Sequence, residues 1–258
     1  MFALERQKRI TAILETEGAV WVSKLSTELG VTEETIRRDL EKLEKQELLV
    51  RTHGGAVPID ESTYELSLET RKRTNVDVKE KLAREAVQFI VPGDIIFLDA
   101  STTTFYMAKE LKKMANVTVV TNSLRVINEL SGHENLKVIG IGGIASHNQS
   151  FVGSLAETLV ENSFFANKMF FSSKGVDSEV GILESNEQEC GIKKKMMENS
   201  RQKFYLCDKS KIGRVGFVKL APFEKIDYFI TEADLDSSWQ EKFAENKVEI
   251  VKVNEENE

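Results

Sequence analysis

Residues 30–45 read Gly-Val-Thr-Glu-Glu-Thr-Ile-Arg-Arg-Asp-Leu-Glu-Lys-Leu-Glu-Lys. Ile36, Leu40 and Leu43 recur at i, i+4 and i+7, the apolar stripe of an amphipathic helix. Thr32 stands at the N-cap position, and Glu33 and Glu34 follow at the positive end of the helix. Thr35, Arg37, Arg38 and Glu41 then project away from the stripe, mostly outward. Upstream, Ser23 is the expected N-cap of a short helix through Leu29, stopped at Gly30. Glu5–Glu17 carries Ile10, Ile13 and Leu14 at helical spacing and ends at Gly18. Downstream, Leu48–Thr52, the turn His53-Gly54-Gly55 and Ala56-Val57 predict a two-stranded ribbon.

Two helices joined by a tight turn, the second with outward arginines, fit a helix-turn-helix whose second helix enters a DNA major groove. Arginine suits that task because its planar fork matches the guanine O6/N7 pair or clamps phosphates. Arg51 and His53 on the ribbon would reach the neighbouring backbone or minor groove. The competing reading is a plain helical bundle whose arginines are solvated or paired with Glu33, Glu34 or Glu41.

Residues 58–78 contain Pro58 and the charged run Glu69-Thr70-Arg71-Lys72-Arg73, and read as a linker with some helix. From residue 79 onward helices alternate with short β-rich runs. Helices are expected at 79–89, 104–114, 124–130, 155–162 and 187–200. Strands are expected at 94–99, 117–121, 136–141, 168–172, 203–207, 226–231 and 248–251. Such alternation predicts a mostly parallel sheet covered on both faces, with ligands at the carboxyl ends of its strands. The domain expectation is therefore 1–57 for a winged helix-turn-helix, 58–78 for the linker and 79–258 for an α/β domain.

The 258 residues amount to one to two domains at about 150 residues each. Hydrophobic residues make up 41%, enough for a substantial core. The net charge of −7 argues against bulk nucleic-acid binding, and the first 57 residues hold 9 Lys+Arg against 10 Asp+Glu. DNA contact would have to come from local placement of charge. Cys190 and Cys207 are too few for a disulfide framework and fit packed thiols in a reducing compartment. No apolar run is long enough to span a membrane, and the early charges at Glu5 and Arg6 argue against a signal peptide. The expectation is a cytoplasmic protein.

Asp99-Ala100-Ser101-Thr102-Thr103-Thr104 joins a strand to a helix. Free amides and the helix dipole at that point favour an anion, the hydroxyls add neutral donors, and Asp99 could accept from sugar hydroxyls. Simple N-capping explains the same residues without a ligand. Lys174 and Lys211 follow expected strands and could neutralise a phosphate, or be solvated. Asp208 also sits at a strand end. Lys193, Lys194 and Lys195 read most simply as a solvated face. His53, His133 and His147 are dispersed and no Cys/His cluster has metal spacing, so neither a metal nor a cofactor is expected. Gly140-Ile141-Gly142-Gly143 lacks the spacing of a dinucleotide fingerprint and reads as a tight turn.

Arg6, Ile10 and Leu14, followed by Thr32, Thr35 and Ile36 to Leu40, resemble the helix-turn-helix signature of the DeoR family. Arg51-Thr52-His53-Gly54-Gly55-Ala56 resembles that family's wing. The likeness continues through 99–104, Thr121-Asn122-Ser123, Gly142-Gly143, Ser173-Lys174-Gly175 and 208–211, covering essentially the whole chain. It implies a bacterial transcriptional regulator, usually a repressor of a sugar-utilisation operon, acting as a dimer or tetramer. Its C-terminal domain would resemble sugar-phosphate isomerases and sense a phosphorylated sugar. On this reading Ser23, Thr32, Thr35, Arg37, Arg38, Arg51, His53 and Gly54 face DNA. Asp99, Ser101, Thr102, Thr103, Thr104, Asn122, Lys174, Asp208 and Lys211 face the effector. Ser101 departs from the family's usual glycine, and a side chain there is expected to narrow the loop or change its backbone. The alternative function is an isomerase-like enzyme with an accessory N-terminal domain. Its general base would be Asp99, Asp177 or Asp208, but the acidic pair such enzymes carry is incomplete here.

Overall fold

A computed structural model describes residues 2–58 and 66–253, so part of the expected linker (59–65) lies outside the described residues. The chain divides into two compact units, Met1–Thr70 and Arg71–Glu258.

The first unit contains α1 (Ala3–Glu17), β1 (Val20–Trp21), α2 (Val22–Leu29), α3 (Glu33–Lys45), β2 (Val50–Thr52) and β3 (Gly55–Val57). The ribbon is three-stranded rather than two-stranded. The order is β1-β3-β2, because Val20 and Trp21 pair with Ala56 and Gly55. That pairing requires glycine at 55, where a Cβ would fall 1.8 Å from the Val20 carbonyl oxygen. Gly30, at φ 64, closes the turn between α2 and α3 in the left-handed region that glycine enters without strain. Ser23 is not the N-cap of α2. Trp21 holds that position, because the β1–β3 pairing keeps the chain extended through residue 21 and the helix begins at Val22. Thr32 does cap α3, its hydroxyl accepting from the Thr35 amide at 3.3 Å. Ile10, Leu14, Leu25, Ile36, Leu40 and Leu43 form the core of this unit.

Asp39 is buried on the same helix, and Arg6 from α1 donates to it from Nε at 2.5 Å. Gln7 donates to its other oxygen at 2.9 Å. A buried ion pair with its oxygens taken costs little net stability, but losing one partner strands a charge.

A further helix, α4 (Leu68–Arg73), leads to α5 (Val76–Val87), β4 (Ile95–Leu98), α6 (Thr102–Leu111), β5 (Val117–Thr121), α7 (Leu124–Leu130) and β6 (Leu136–Gly140). A hairpin of β7 (Ile144–Ala145) and β8 (Phe151–Val152) precedes α8 (Ser154–Ser163) and β9 (Ala166–Phe171). Then come β10 (Gly175–Asp177), β11 (Gly181–Glu184), α9 (Glu187–Glu198), β12 (Ser200–Leu206) and β13 (Val218–Ala221). The unit ends with β14 (Tyr228–Thr231), α10 (Ser237–Glu245) and β15 (Glu249–Lys252). Seven strands form a wholly parallel sheet in the order β15-β14-β12-β9-β4-β5-β6. An antiparallel sheet β10-β11-β13 and the β7–β8 hairpin were not anticipated from the sequence. The linker expectation places residues 71–78 outside the α/β domain, whereas the second unit begins at Arg71 and α5 at Val76.

Alternate residues of the central strands enter two cores. Phe97, Met169, Phe171, Tyr205 and Phe229 face one way, and Ile96, Leu98, Phe170, Phe204 and Ile230 the other. Phe170, Phe204 and Tyr228 stack across three strands with centroids 4.6 and 4.4 Å apart. β4 runs on to β5 and β6 on one side, while β9 begins the opposite wing, so the strand order reverses between β4 and β9. That reversal opens a crevice at the carboxyl ends of these two strands.

Replacing Asp39 with Ala removes the buried carboxylate to which Arg6 and Gln7 donate. The expected loss is about 3–5 kcal/mol from the first unit. Urea melts followed by Trp21 fluorescence, in a Trp239→Phe background, measure it. A double change of Arg6→Met with Asp39→Leu should recover most of the loss.

Candidate functional site

On the first unit the exposed face of α3 carries Thr32, Thr35, Arg37 and Arg38. Arg37 donates to Glu33 at 2.7 Å and Arg38 to Glu34 at 3.1 Å, both i,i+4 pairs open to solvent. Arg51 on the ribbon donates to Glu44 at 2.7 Å, and the Arg51 amide reaches the same carboxylate at 3.0 Å. Exposed pairs of this kind are worth only about 0.2–1 kcal/mol, so a phosphate or base edge brought to this face would displace them cheaply. Arg37, Leu40, Glu44, Arg51 and His53 line a cleft between α3 and the ribbon. His53 and Gly54 are exposed at the ribbon turn, and the Gly54 carbonyl accepts from the Val22 amide at 2.9 Å. Ser23 is exposed in the first turn of α2.

On the second unit the crevice at β4 and β9 is built around buried charge. Asp99, at the end of β4, is fully buried. Its Oδ1 accepts from the Thr104 hydroxyl at 2.7 Å and the Ser101 amide at 3.2 Å. Its Oδ2 accepts from the Ser172 amide at 3.2 Å and stands 3.0 Å from Lys193 Nζ. The expectation that Asp99 accepts from a sugar is thereby corrected: protein donors hold both its oxygens and organise the loop. Thr104 is corrected with it, since its hydroxyl is buried and donates to Asp99.

Lys193 reverses the expectation of a solvated face. It is buried, donates to the Ser172 carbonyl at 2.7 Å, and pairs with Glu184 as well as Asp99. Burial alone would lower its pKa, but Glu184 and Asp99 overcome that and hold it above its ordinary value. Glu189, four residues earlier on α9, is also buried and accepts from the Ser150 and Ser146 hydroxyls. Burial pushes its carboxyl up. A helical period with Cys190, Ile192, Met196 and Met197 in the core was the available signal that 189 and 193 share the inward face.

Ser101 caps α6 at φ −67 and ψ 158, its hydroxyl accepting from the Thr104 amide at 3.2 Å. The side chain therefore sits in unstrained extended backbone, and the expected distortion does not occur. The helix begins at Thr102, two residues before the expected start, because this cap precedes it. Thr102 and Thr103 are buried in the first turn, and the Thr103 hydroxyl has no partner among the described residues. Asn122, beyond β5, donates to the Phe151 carbonyl at 3.0 Å, while its own side-chain oxygen is buried without a partner among the described residues.

Asp208 follows β12 and accepts from the Ser210 amide at 3.1 Å and from Asn75 Nδ2 at 3.4 Å. Burial would raise its pKa, but Lys211, the Ser210 hydroxyl and Lys79 draw it down. Lys211 donates to the Ser172 hydroxyl and lies 3.7 Å from Asp208. Lys174 is half-buried beyond β9, its amide bonded to the Leu183 carbonyl at 3.1 Å. The structure thus brings Asp99, 101–104, Asp208 and Lys211 to one edge of the sheet.

From the sequence Lys79 stands only at the start of an expected helix. It is 4% exposed, and no carboxylate pairs with it among the described residues. Its Nζ donates to the carbonyls of Arg71 and Thr74, both at 2.6 Å. Burial lowers its pKa to about 8, with Lys211, Arg71 and Arg125 adding to the fall and Asp208 opposing it. The burial of Cys190 and Cys207 raises both thiols, Cys207 to about 12, so neither is a ready nucleophile.

A family model described as DeoR-like helix-turn-helix domain matches residues 6–62, and one described as DeoR C terminal sensor domain matches residues 74–233. The chain is 42% identical over 254 residues to the uncharacterized HTH-type transcriptional regulator YulB of Bacillus subtilis, covering 98% of each chain. It is 29% identical over 247 residues to the glycerol-3-phosphate regulon repressor of Escherichia coli, covering 95% of this chain and 97% of that one. Among solved structures, ribose 5-phosphate isomerase A of Methanocaldococcus jannaschii aligns with a TM-score of 0.41 at 17% identity, over 54% of this chain and 55% of that one.

Lys193→Met strands Asp99 and Glu184 as buried carboxylates. The expected loss is about 3–5 kcal/mol in chemical denaturation of the second unit. Lys193→Met combined with Glu184→Leu should lose less than the single change.

Proposed function

The chain belongs to the DeoR family of helix-turn-helix transcriptional regulators, and on that premise we propose that it represses a carbohydrate-utilisation operon and is released by a phosphorylated sugar. The observation that carries the effector reading is the buried Lys79 ammonium, without an ion-pair partner among the described residues, beside Lys211 at the carboxyl edge of the sheet. A phosphate monoester supplies the missing negative charge. The first amides of α6, Lys79 and Lys211 hold the phosphate, while Asp99, Thr104 and Lys193 keep the loop in shape. The free Asn122 oxygen accepts from a sugar hydroxyl.

Thr35, Arg37 and Arg38 read or clamp the operator from α3, and Arg51, His53 and Gly54 brace the backbone from the ribbon. Paired half-sites call for paired recognition helices, hence a dimer or tetramer. The effector acts only through a difference in affinity between two conformations, and a coupling of roughly 1–3 kcal/mol changes operator affinity about 5–150-fold.

The isomerase alternative needs a carboxylate with a free oxygen beside the ligand. Asp99 is committed to protein donors, and Asp208 caps a turn through the Ser210 amide. Asp177 accepts from the amides of Glu179 and Val180 at 2.9 and 2.8 Å. Asp208 and Asp177 accept these amides through Oδ1 alone, so what favours a sensor over an enzyme is Asp99, the carboxylate at the end of β4, whose two oxygens are both taken by protein donors.

Selection of duplex DNA from a random library at about 150 mM salt tests the reading, since non-specific binding is weak there. A repeated or palindromic motif is expected, and sugar phosphates should release it. Folded protein that enriches nothing, with or without sugar phosphates, would overturn the proposal. On the selected site Arg37→Ala should cost about 1–3 kcal/mol if Arg37 reads a guanine.

Phosphate binding also has an expected pH profile. Lys79 is mostly charged below about 8 and loses its proton above that value. A phosphate monoester is already dianionic there, its second pKa being about 6. Affinity measured by calorimetry should therefore decline as pH rises through 8, and Lys79→Met should flatten that decline.

A further inference from the structure

Resting on the effector reading above, we propose that Lys79 is a post that ties effector occupancy to the order of residues 71–75, the peptide through which the chain enters the sensor unit. Each end of that peptide is held by groups of the candidate site. Lys79 Nζ bonds the Arg71 and Thr74 carbonyls, at the C-terminal end of α4. Asn75, in left-handed backbone at φ 52, donates to Asp208 and to the Ser210 hydroxyl at 3.3 Å. The Tyr106 hydroxyl, on α6, donates to the Lys72 carbonyl at 3.4 Å, and Arg71 donates to Asn148 at 2.6 Å.

Of these posts only Lys79 is a buried charge with no counter-ion. An ammonium has three donors, and the two carbonyls use two of them. A phosphate can take the third without displacing either carbonyl. Doing so pins Nζ between the phosphate and the two carbonyls, so the side chain can no longer swing away from either of them. An occupied site therefore holds residues 71–75 more firmly than an empty one. Asn75 and Tyr106 carry no charge, so their bonds do not respond to the ligand in this way. Position 71 follows directly on the last residue of the DNA-binding unit, so order at this point is where occupancy can bias that unit.

Hydrogen–deuterium exchange on the full chain tests the proposal. Inorganic phosphate and glucose 6-phosphate are compared with chloride at matched ionic strength, and calorimetry reports binding in parallel. The expected result is slower exchange in peptides covering 71–79 on ligand binding, by at least about fivefold if the coupling reaches the usual range. Lys79→Met, compared at ligand saturation, should lose this response, and Lys79→Arg should keep it. Should Lys79→Met not be saturable, Lys79→Arg and Asn75→Ala decide: both must retain the ligand-dependent protection. Asn75→Ala should exchange faster overall yet respond to ligand as the wild type does. Binding without any change at 71–79, or protection that survives in saturated Lys79→Met, overturns the post and leaves the effector reading standing. Failure of the wild-type chain to bind either phosphate overturns both.

Discussion

A single buried ammonium organises the sensor unit. Lys193 reaches from α9 to Asp99 at the end of β4, to the Ser172 carbonyl at the end of β9, and to Glu184 on β11. These are the two strands between which the sheet reverses its order. Reversal opens a crevice, and a crevice at strand ends exposes carbonyls and amides that no ladder satisfies. Lys193 fills that need from below. Two carboxylates could not be buried there without it, and the loop at 99–104 would lose the acceptor that holds the Thr104 hydroxyl and the Ser101 amide.

The two buried lysines therefore divide the work. Lys193 has its charge compensated twice over and its pKa is raised, so it stays charged and fixed. Lys79 has no carboxylate partner among the described residues and burial lowers its pKa, so under the proposed effector reading it is the charge that an anion would match. What separates the two ammonium groups is whether a carboxylate pairs with them: two do with Lys193, none among the described residues with Lys79. The same logic appears in the first unit, where Asp39 and Arg6 are compensated and buried, while Arg37 and Arg38 are paired only at the surface.

Much of this was legible in the chain. The period of Ile36, Leu40 and Leu43 located α3, and the β-rich runs located all seven strands of the parallel sheet. Those signals are local, and burial on both sheet faces makes such strands continuously apolar. The β10-β11-β13 sheet was missed because its strands are three or four residues long and β11 finds β13 only across a long stretch of chain, Ile182 opposite Ala221. Ser23 was misjudged because the extended β1 segment, only two residues long, fixes the helix start at Val22. Lys79, Lys193 and Glu189 were missed for a different reason. A charged residue in a helix reads as solvated unless its partners are known, and the partners here come from 5 to 94 positions away, at Arg71, Thr74, Asp99, Ser150 and Glu184.

The acidic total and the arginines of α3 are compatible for a physical reason. Non-specific DNA affinity grows with the number of phosphates that cations neutralise. In the first unit Arg37, Arg38, Arg51, Lys24 and Lys45 are each matched to a glutamate. Those glutamates cancel much of the long-range attraction to any duplex. At short range the balance changes, because a bidentate contact to a guanine edge is worth about 1–3 kcal/mol and an exposed pair only a fraction of that. A unit built this way gives up indiscriminate affinity and keeps the contacts that depend on sequence. For a regulator this is the useful direction, since competing sites in a genome are numerous and the ratio of specific to non-specific binding decides occupancy.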